Sequence, residues 1–408
     1  MIISKKKFAN QVLLYMVVFS LIYQSGSVPA ALGVHTLLNM LTKIIMLVIP
    51  LCYFVWIFDK KIQKNEVILM VFIFIGILFS FFQYEDSIFK LIYKVITFYL
   101  FFYMCDYAHK KNLNIEKVIY NVILIVDIIA IALYITLELF HIGIPFHYAH
   151  IEGSYWYRNY FELFFTCSYG QLLPRLSGMF WEPGVYAIFL NLQLYFYFSD
   201  EKNKRNNYQL GLILLCLLLT QSAAGYCVML LILYQQLSKW KKISRYSRRI
   251  CALFSLFIIL IIGAFVLNYK KNLDANDLIN YSYGIRIADL YNGLRIFVSH
   301  PLFGVGYGRT DLFIANTVTG RGSSNGLVSW MYMMGIYGTV IVLYPFIKNI
   351  KKYKKNDQAL WFIIVLLFNI CEPIYVLPLM QYILSAEYHK MFYHSFFHEY
   401  NNMLKIKR

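Results

Sequence analysis

The chain has 408 residues, 60% of them hydrophobic and only 14% charged, with a formal net charge of +17. That composition lies outside the range of soluble globular domains, and its repeated apolar runs of about 20 residues suit a bilayer core of about 30 Å. A charge that would suggest nucleic acid in a soluble protein is here explained by basic loops on one side of a membrane, so nucleic-acid binding is set aside.

Lys5, Lys6 and Lys7 precede the first apolar run, about Phe8 to Gln24. The run starts like a signal peptide but lacks a small-residue cleavage site, and further apolar runs follow, so it reads as an uncleaved first span. Spans two to five cover about Leu37 to Phe58, Val67 to Gln83, Ile88 to Tyr107 and Val118 to Phe140. A polar, aromatic-rich segment, 141–177, comes next and suits the membrane interface. The sixth span covers about Gly178 to Phe198 and ends in a charged turn, Asp200 to Arg205. The run Tyr208 to Leu237 is too long for one ordinary span, and Gln221-Ser222-Ala223-Ala224-Gly225 divides it into a short seventh and eighth. A ninth covers about Ile250 to Leu267, and a tenth about Gly326 to Ile347. The last run, Gln358 to Ala386, is broken at Glu372-Pro373, where proline interrupts a helix.

Between the ninth and tenth spans lies the long polar interval 268–325, with Arg286, Arg295, His300, Arg309 and Arg321 and a glycine cluster at Gly304, Gly306 and Gly308. Its share of Tyr, Phe, Leu and Ile argues against disorder, and a connection of that length is functional when it is ordered. The reading is an all-α polytopic membrane protein, one domain over 1–408, with about twelve spans. Most of the 38 Lys and Arg lie at the termini and in the loops on their side, which predicts cytoplasmic termini and an external interval 268–325. Six of the seven cysteines lie in apolar runs, Cys167 has no evident partner and no Cys-x-x-Cys occurs, so neither a zinc site nor a disulfide framework is expected.

External arginines run against the orientation rule. An anion site accounts for them, because a guanidinium fork fits phosphate oxygens; solvated loop charges and headgroup contacts account for them equally. Arg175 stands at the mouth of the sixth span and Glu182 seven residues on, about two turns away if both were helical. An ionisable group at shallow membrane depth is a functional candidate, with an internal salt bridge as the plainer alternative. Glu372, at the break in the last run, has the same logic. His300 is a candidate base or a structural hydrogen-bonding group. Gly304-Val305-Gly306-Tyr307-Gly308 does not match a nucleotide loop and lets backbone pass close to a helix or a ligand.

The stretch Arg175-Leu176-Ser177-Gly178-Met179-Phe180-Trp181-Glu182-Pro183-Gly184 resembles the R-x-x-G-x-F-x-x-P mouth of the O-antigen polymerase and O-antigen ligase superfamily. Arg286 through His300-Pro301-Leu302-Phe303-Gly304-Val305-Gly306-Tyr307-Gly308 resembles that family's long loop, and Ser324-Asn325-Gly326-Leu327 its loop exit. The resemblance implies an inverting, metal-independent glycosyltransferase of GT-C type, without a cofactor, in a bacterial plasma membrane. Its substrate would be an undecaprenyl-diphosphate-linked oligosaccharide, and its polymer an O-antigen, capsule or exopolysaccharide. Chain-length regulators and flippases would be its partners. Ligases resemble one another in a His just before the Asn of the loop exit; here Ser323-Ser324-Asn325 stands there, which favours the polymerase. A ligase-type transferase and a lipid-linked oligosaccharide flippase are the alternatives. In this reading Arg175, Arg286, Glu182 and His300 are catalytic, and Arg295, Arg309, Glu372, Gly304 and Gly306 bind substrate. Glu182, His300 and Glu372 all stand as candidates for the base.

Overall fold

A computed structural model describes residues 5–28, 113–142, 147–150, 156–160, 164–167, 174–199, 206–239, 282–307, 309–317, 322–353, 356–374 and 377–391, with shorter pieces such as 47–53 and 100–105. The described chain is mostly helical. The expected ninth span, most of the second, third and fourth, the C-terminal tail, Gly308 and Arg321 lie outside the described residues.

Helix α1 is Lys5–Gln24 and α2 is Ile115–Leu133, continued by one π-helical stretch, Tyr134–Leu139. Four strands follow: β1 His147–His150, β2 Trp156–Tyr160, β3 Phe164–Cys167 and β4 Arg175–Gly178. They form an antiparallel meander in chain order, with a bulge at Phe165/Thr166. The segment 141–177, an external segment in a chain read as all-α, thus holds a small sheet among its described residues. Its aromatic residues, such as Trp156, Tyr157 and Tyr160, favour the extended backbone of a strand.

Then come α3 Pro183–Ser199, α4 Asn207–Thr220, α5 Ala223–Lys239, α6 Ser282–Ser299, α7 Asp311–Ala315, α8 Gly326–Tyr353, α9 Asn356–Cys371 and a final helix, α10, over 378–391. The division of 208–237 falls where the residue types require it. Gln221 adopts a left-handed φ of 48°, and Ser222 Oγ accepts from Gly225 N at 3.2 Å to start α5. The sixth span begins later than Gly178, because Gly178 at φ +59° ends β4 and Pro183, with its fixed φ, opens α3. The polar interval holds an 18-residue helix, α6, whose Asp289 and Ile296 are buried against the rest of the chain.

Among the described residues, two helices are long and apolar enough to cross a membrane, Ile115–Leu139 and Gly326–Lys352; other apolar helices there, such as Asn207–Thr220 and Asp357–Cys371, are shorter. Helix α3 runs through the middle of the core. Thirteen of its 17 residues are buried, and it packs on α2, α4 and α5. Helix α2, by contrast, exposes Ile125, Ile128 and Ile129 on its outer face.

Candidate functional site

Four chain segments meet where α3 begins. The end of α1 joins first: Trp181 N donates to Gly26 O at 2.9 Å and Val28 N to Met179 O at 3.0 Å. The start of α10 follows, with Leu379 N donating to Ser25 Oγ at 2.7 Å. Strand β4 arrives with Arg175, whose Nε donates to Thr220 O at 3.0 Å, one of the carbonyls left over at the end of α4. The break after α9 brings Glu372, only 6% exposed, into the angle between them.

Glu372 lies directly on the first turn of α3. A Cβ at Gly184 would collide with its Oε1, so position 184 has room for glycine alone as the segments stand. The carboxyl of Glu182 lies within hydrogen-bonding reach of that of Glu372, and two carboxyl groups so close favour a proton on one of them. Arg286, projecting from the first turns of α6, donates from Nη1 to Cys371 O at 3.1 Å. Both Arg286 and Arg175 lie close enough to act electrostatically on Glu372. Burial, reinforced by the Glu182 charge, pushes Glu372 well above the usual carboxylate range, while the two arginines pull it down less strongly. Glu372, in the connection between α9 and α10, is the more deeply buried of the two, and burial favours the protonated form there. The half-buried Glu182 is the more accessible carboxyl of the pair.

Arg175, Glu182, Arg286 and Glu372, spread over nearly 200 positions of sequence, thus form one cluster of two cations and two carboxyl groups. The expected route from Arg175 to Glu182 through two helical turns is corrected: Arg175 is on a strand and Glu182 in the turn before the helix, and they meet through Glu372.

The other expected site residues lie elsewhere. Arg295 is on α6 nine positions from Arg286, about 13 Å along the axis and on the opposite face. It forms no hydrogen bond or ion pair among the described residues. His300 follows the end of α6, its Nδ1 at 2.9 Å from Ser299 Oγ. Arg309 forms a two-pronged ion pair with Asp311 at the start of α7, with Nε to Oδ1 at 2.9 Å, and that bonding holds Asp311 below its usual range. Gly304 and Gly306 serve a backbone junction. Helix α8 breaks at Gly335 (φ 63°, ψ −164°), which orphans Tyr332 O and Met333 O on one side and Ile336 N and Tyr337 N on the other. The loop supplies all four partners: Val305 N to Tyr332 O at 2.8 Å, Gly306 N to Met333 O at 2.9 Å, Ile336 N to Pro301 O at 2.8 Å and Tyr337 N to Leu302 O at 3.1 Å. Gly304, at φ +71°, lies so close to the Tyr332 and Met333 backbone that a Cβ would strike it. Of the two uses expected for this glycine run, passage close to a helix is the one seen.

Among the buried carboxylates that the sequence did not single out, Glu138 and Asp289 tie segments together. Glu138, 3% exposed on the π-helical stretch, accepts from Arg158 Nη1 at 2.6 Å, Tyr160 OH at 3.0 Å and Thr166 Oγ1 at 2.5 Å, and so ties the sheet to α2. Asp289, 2% exposed on α6, accepts from Ser324 N at 2.8 Å and Ser324 Oγ at 2.7 Å. It fixes α6, and Arg286 one turn away, to the segment that opens α8. Glu138 could have been flagged as the lone acid near the end of an apolar run. Asp289 had no such mark in a polar stretch.

No family model matches the chain, and no curated protein is significantly similar to it. What the described structure itself defines is a mostly helical protein with two long apolar helices and an arginine–carboxyl cluster where its segments converge.

Proposed function

We propose that the chain is a polytopic membrane glycosyltransferase that polymerises undecaprenyl-diphosphate-linked oligosaccharide repeat units at the external face of the bacterial plasma membrane. The observation that carries the reading is the convergence of Arg175 and Arg286 on the neighbouring carboxyl groups of Glu182 and Glu372. Glycosyl transfer from a lipid diphosphate needs both functions at one place: cations for the departing diphosphate and a carboxylate for the proton of the incoming hydroxyl.

In this reading the acceptor hydroxyl oxygen attacks the anomeric carbon of the donor sugar. The bond from that carbon to the diphosphate oxygen breaks, and the electron pair leaves with undecaprenyl diphosphate. Arg175 is fixed through Nε, which leaves its terminal nitrogens for diphosphate oxygens. Glu182 takes the hydroxyl proton. Glu372, already protonated and buried, holds Glu182 by a hydrogen bond and keeps a second negative charge away from the diphosphate. The remoteness of His300 from this cluster favours Glu182 as the base. Twelve spans with cytoplasmic termini agree with the cluster at the external mouth, since the exits of α3 and α5 and the start of α9 then share the basic side.

The test is the surface polysaccharide of a deletion strain. Loss of the long ladder with single repeat units still on the final acceptor is the expected result. Full-length polymer accumulating on undecaprenyl diphosphate would mean a ligase, and repeat units trapped on the cytoplasmic face would mean a flippase; either outcome sinks the proposal.

A further inference from the structure

A cavity of about 710 Å³ lies away from the cluster. Gly184 and the Glu182–Glu372 pair are at the first turn of α3, whereas Tyr195 and Ser199 line the cavity at its last turns, about 17 Å along the axis. The first turn of α2 and parts of α9 and α10 form the other walls.

Its lining combines aromatic planes with charges of both signs. Tyr195 stacks on Trp361 with ring centroids 4.7 Å apart, and Tyr382 stands with them in the wall. The half-buried Glu116 lines the same cavity and is near enough to act electrostatically on Tyr195 and Tyr382. It forms no hydrogen bond or ion pair among the described residues. Its place in the first turn of α2 suits the helix dipole, but the dipole alone does not account for the aromatic wall beside it. The second carboxylate, Glu387, is already met by Trp361 Nε1 at 3.1 Å, Asn349 Nδ2 at 2.8 Å and Lys390 Nζ at 2.7 Å. The groups facing a ligand are therefore the Glu116 carboxylate beside aromatic rings and the Lys117 ammonium next to it in the chain.

A carboxylate within an aromatic wall is the setting that attracts an organic ammonium, through charge and ring quadrupole together. An adjacent lysine favours a phosphate. We infer that this cavity binds a zwitterionic group in which an ammonium is joined by a short link to a phosphate, as in a phosphoethanolamine. The ammonium sits between Glu116 and the Tyr195–Trp361–Tyr382 wall, and the phosphate faces Lys117. Such a group is carried by a phospholipid headgroup or by the free phosphomonoester. The site is separate from the proposed transferase cluster and its test does not rely on that activity.

The full chain, purified in detergent, is titrated with dihexanoyl phosphatidylethanolamine, dihexanoyl phosphatidylglycerol and free phosphoethanolamine, with bound ligand counted by native mass spectrometry. One saturable site for the ethanolamine lipid is expected, and Glu116→Gln weakens it by about tenfold, the loss of a charged partner for a partly desolvated cation. Lys117→Met weakens the ethanolamine and glycerol lipids together, since both carry phosphate, and gives a second reading should Glu116→Gln fold poorly. Free phosphoethanolamine binding as tightly as the lipid supports the chemistry and assigns a soluble source; weaker binding supports the lipid. Equal binding of both lipids by the unaltered chain, or an unchanged ethanolamine affinity in a folded Glu116→Gln protein, overturns the inference.

Discussion

Helix α3 begins, and helix α8 breaks, at two junctions that solve opposite problems. At the first, β4, the start of α3, α6 and the end of α9 bring side chains together: two arginines and two carboxyl groups lie near one another. At the second, the loop 300–306 meets the break at Gly335 and removes side chains, so that backbone can bond to backbone through four hydrogen bonds. Both junctions carry the glycines, prolines and ionisable residues that mark a site in sequence. Only the first concentrates charge. Glycine density and a nearby histidine therefore do not by themselves locate chemistry; a buried carboxyl that several segments approach is the better guide.

The sharpest way to break that comparison is to remove groups from the first junction. Glu182→Gln is expected to lower polymer formation by about 10²–10⁴-fold, the usual contribution of a positioned base. Arg175→Ala and Arg286→Ala are each expected to cost about 10²–10³-fold, as for one lost transition-state donor. His300→Ala is expected to leave polymer yield and chain length unchanged at equal protein level. An active Glu182→Gln or a dead, well-folded His300→Ala would reverse the roles of the two junctions.

Stability separates them next. Glu138→Ala strands Arg158 against the sheet, and about 3 kcal/mol is the expected loss for one partner of a buried pair, read as a lowered thermal midpoint in detergent. At the second junction, Gly304→Ala forces a Cβ onto the Tyr332–Met333 backbone at a positive φ. The expected cost is about 2 kcal/mol, with activity per folded molecule retained. If Gly304→Ala instead abolished transfer without lowering stability, the loop would belong to the site.

The smallest effect concerns pH. The folded chain keeps a proton on Glu372 that the unfolded chain releases near the ordinary value of 4.5. A raised folded-state value means that this contribution is fully present below that pH and is lost as pH rises toward the folded-state value. The slope is at most about 1.4 kcal/mol per pH unit. Glu372→Gln should flatten the fall in thermal midpoint above about pH 4.5 while preserving a donor toward Glu182. An unaltered pH profile in that variant would show that the pair does not share a proton.

Much of the architecture was legible because it rests on local chemistry. The apolar runs, the division of 208–237 at Gln221–Gly225 and the stop at Glu372-Pro373 follow from residue types whose backbone preferences or missing N–H act within one or two turns. The individual members of the cluster were legible too, because an arginine or a glutamate beside an apolar run is conspicuous. Their partnership was not. Arg175 and Arg286 are joined to Glu182 and Glu372 only when β4, α6 and the end of α9 dock on α3, and no local period encodes that docking. The sheet, the helix inside the polar interval and the use of Gly304 as a seat for a broken helix were likewise decided by tertiary structure. In each case a buried partner supplied by a distant segment, such as Glu138 for Arg158 or Asp289 for Ser324, settled a conformation that the local sequence left open.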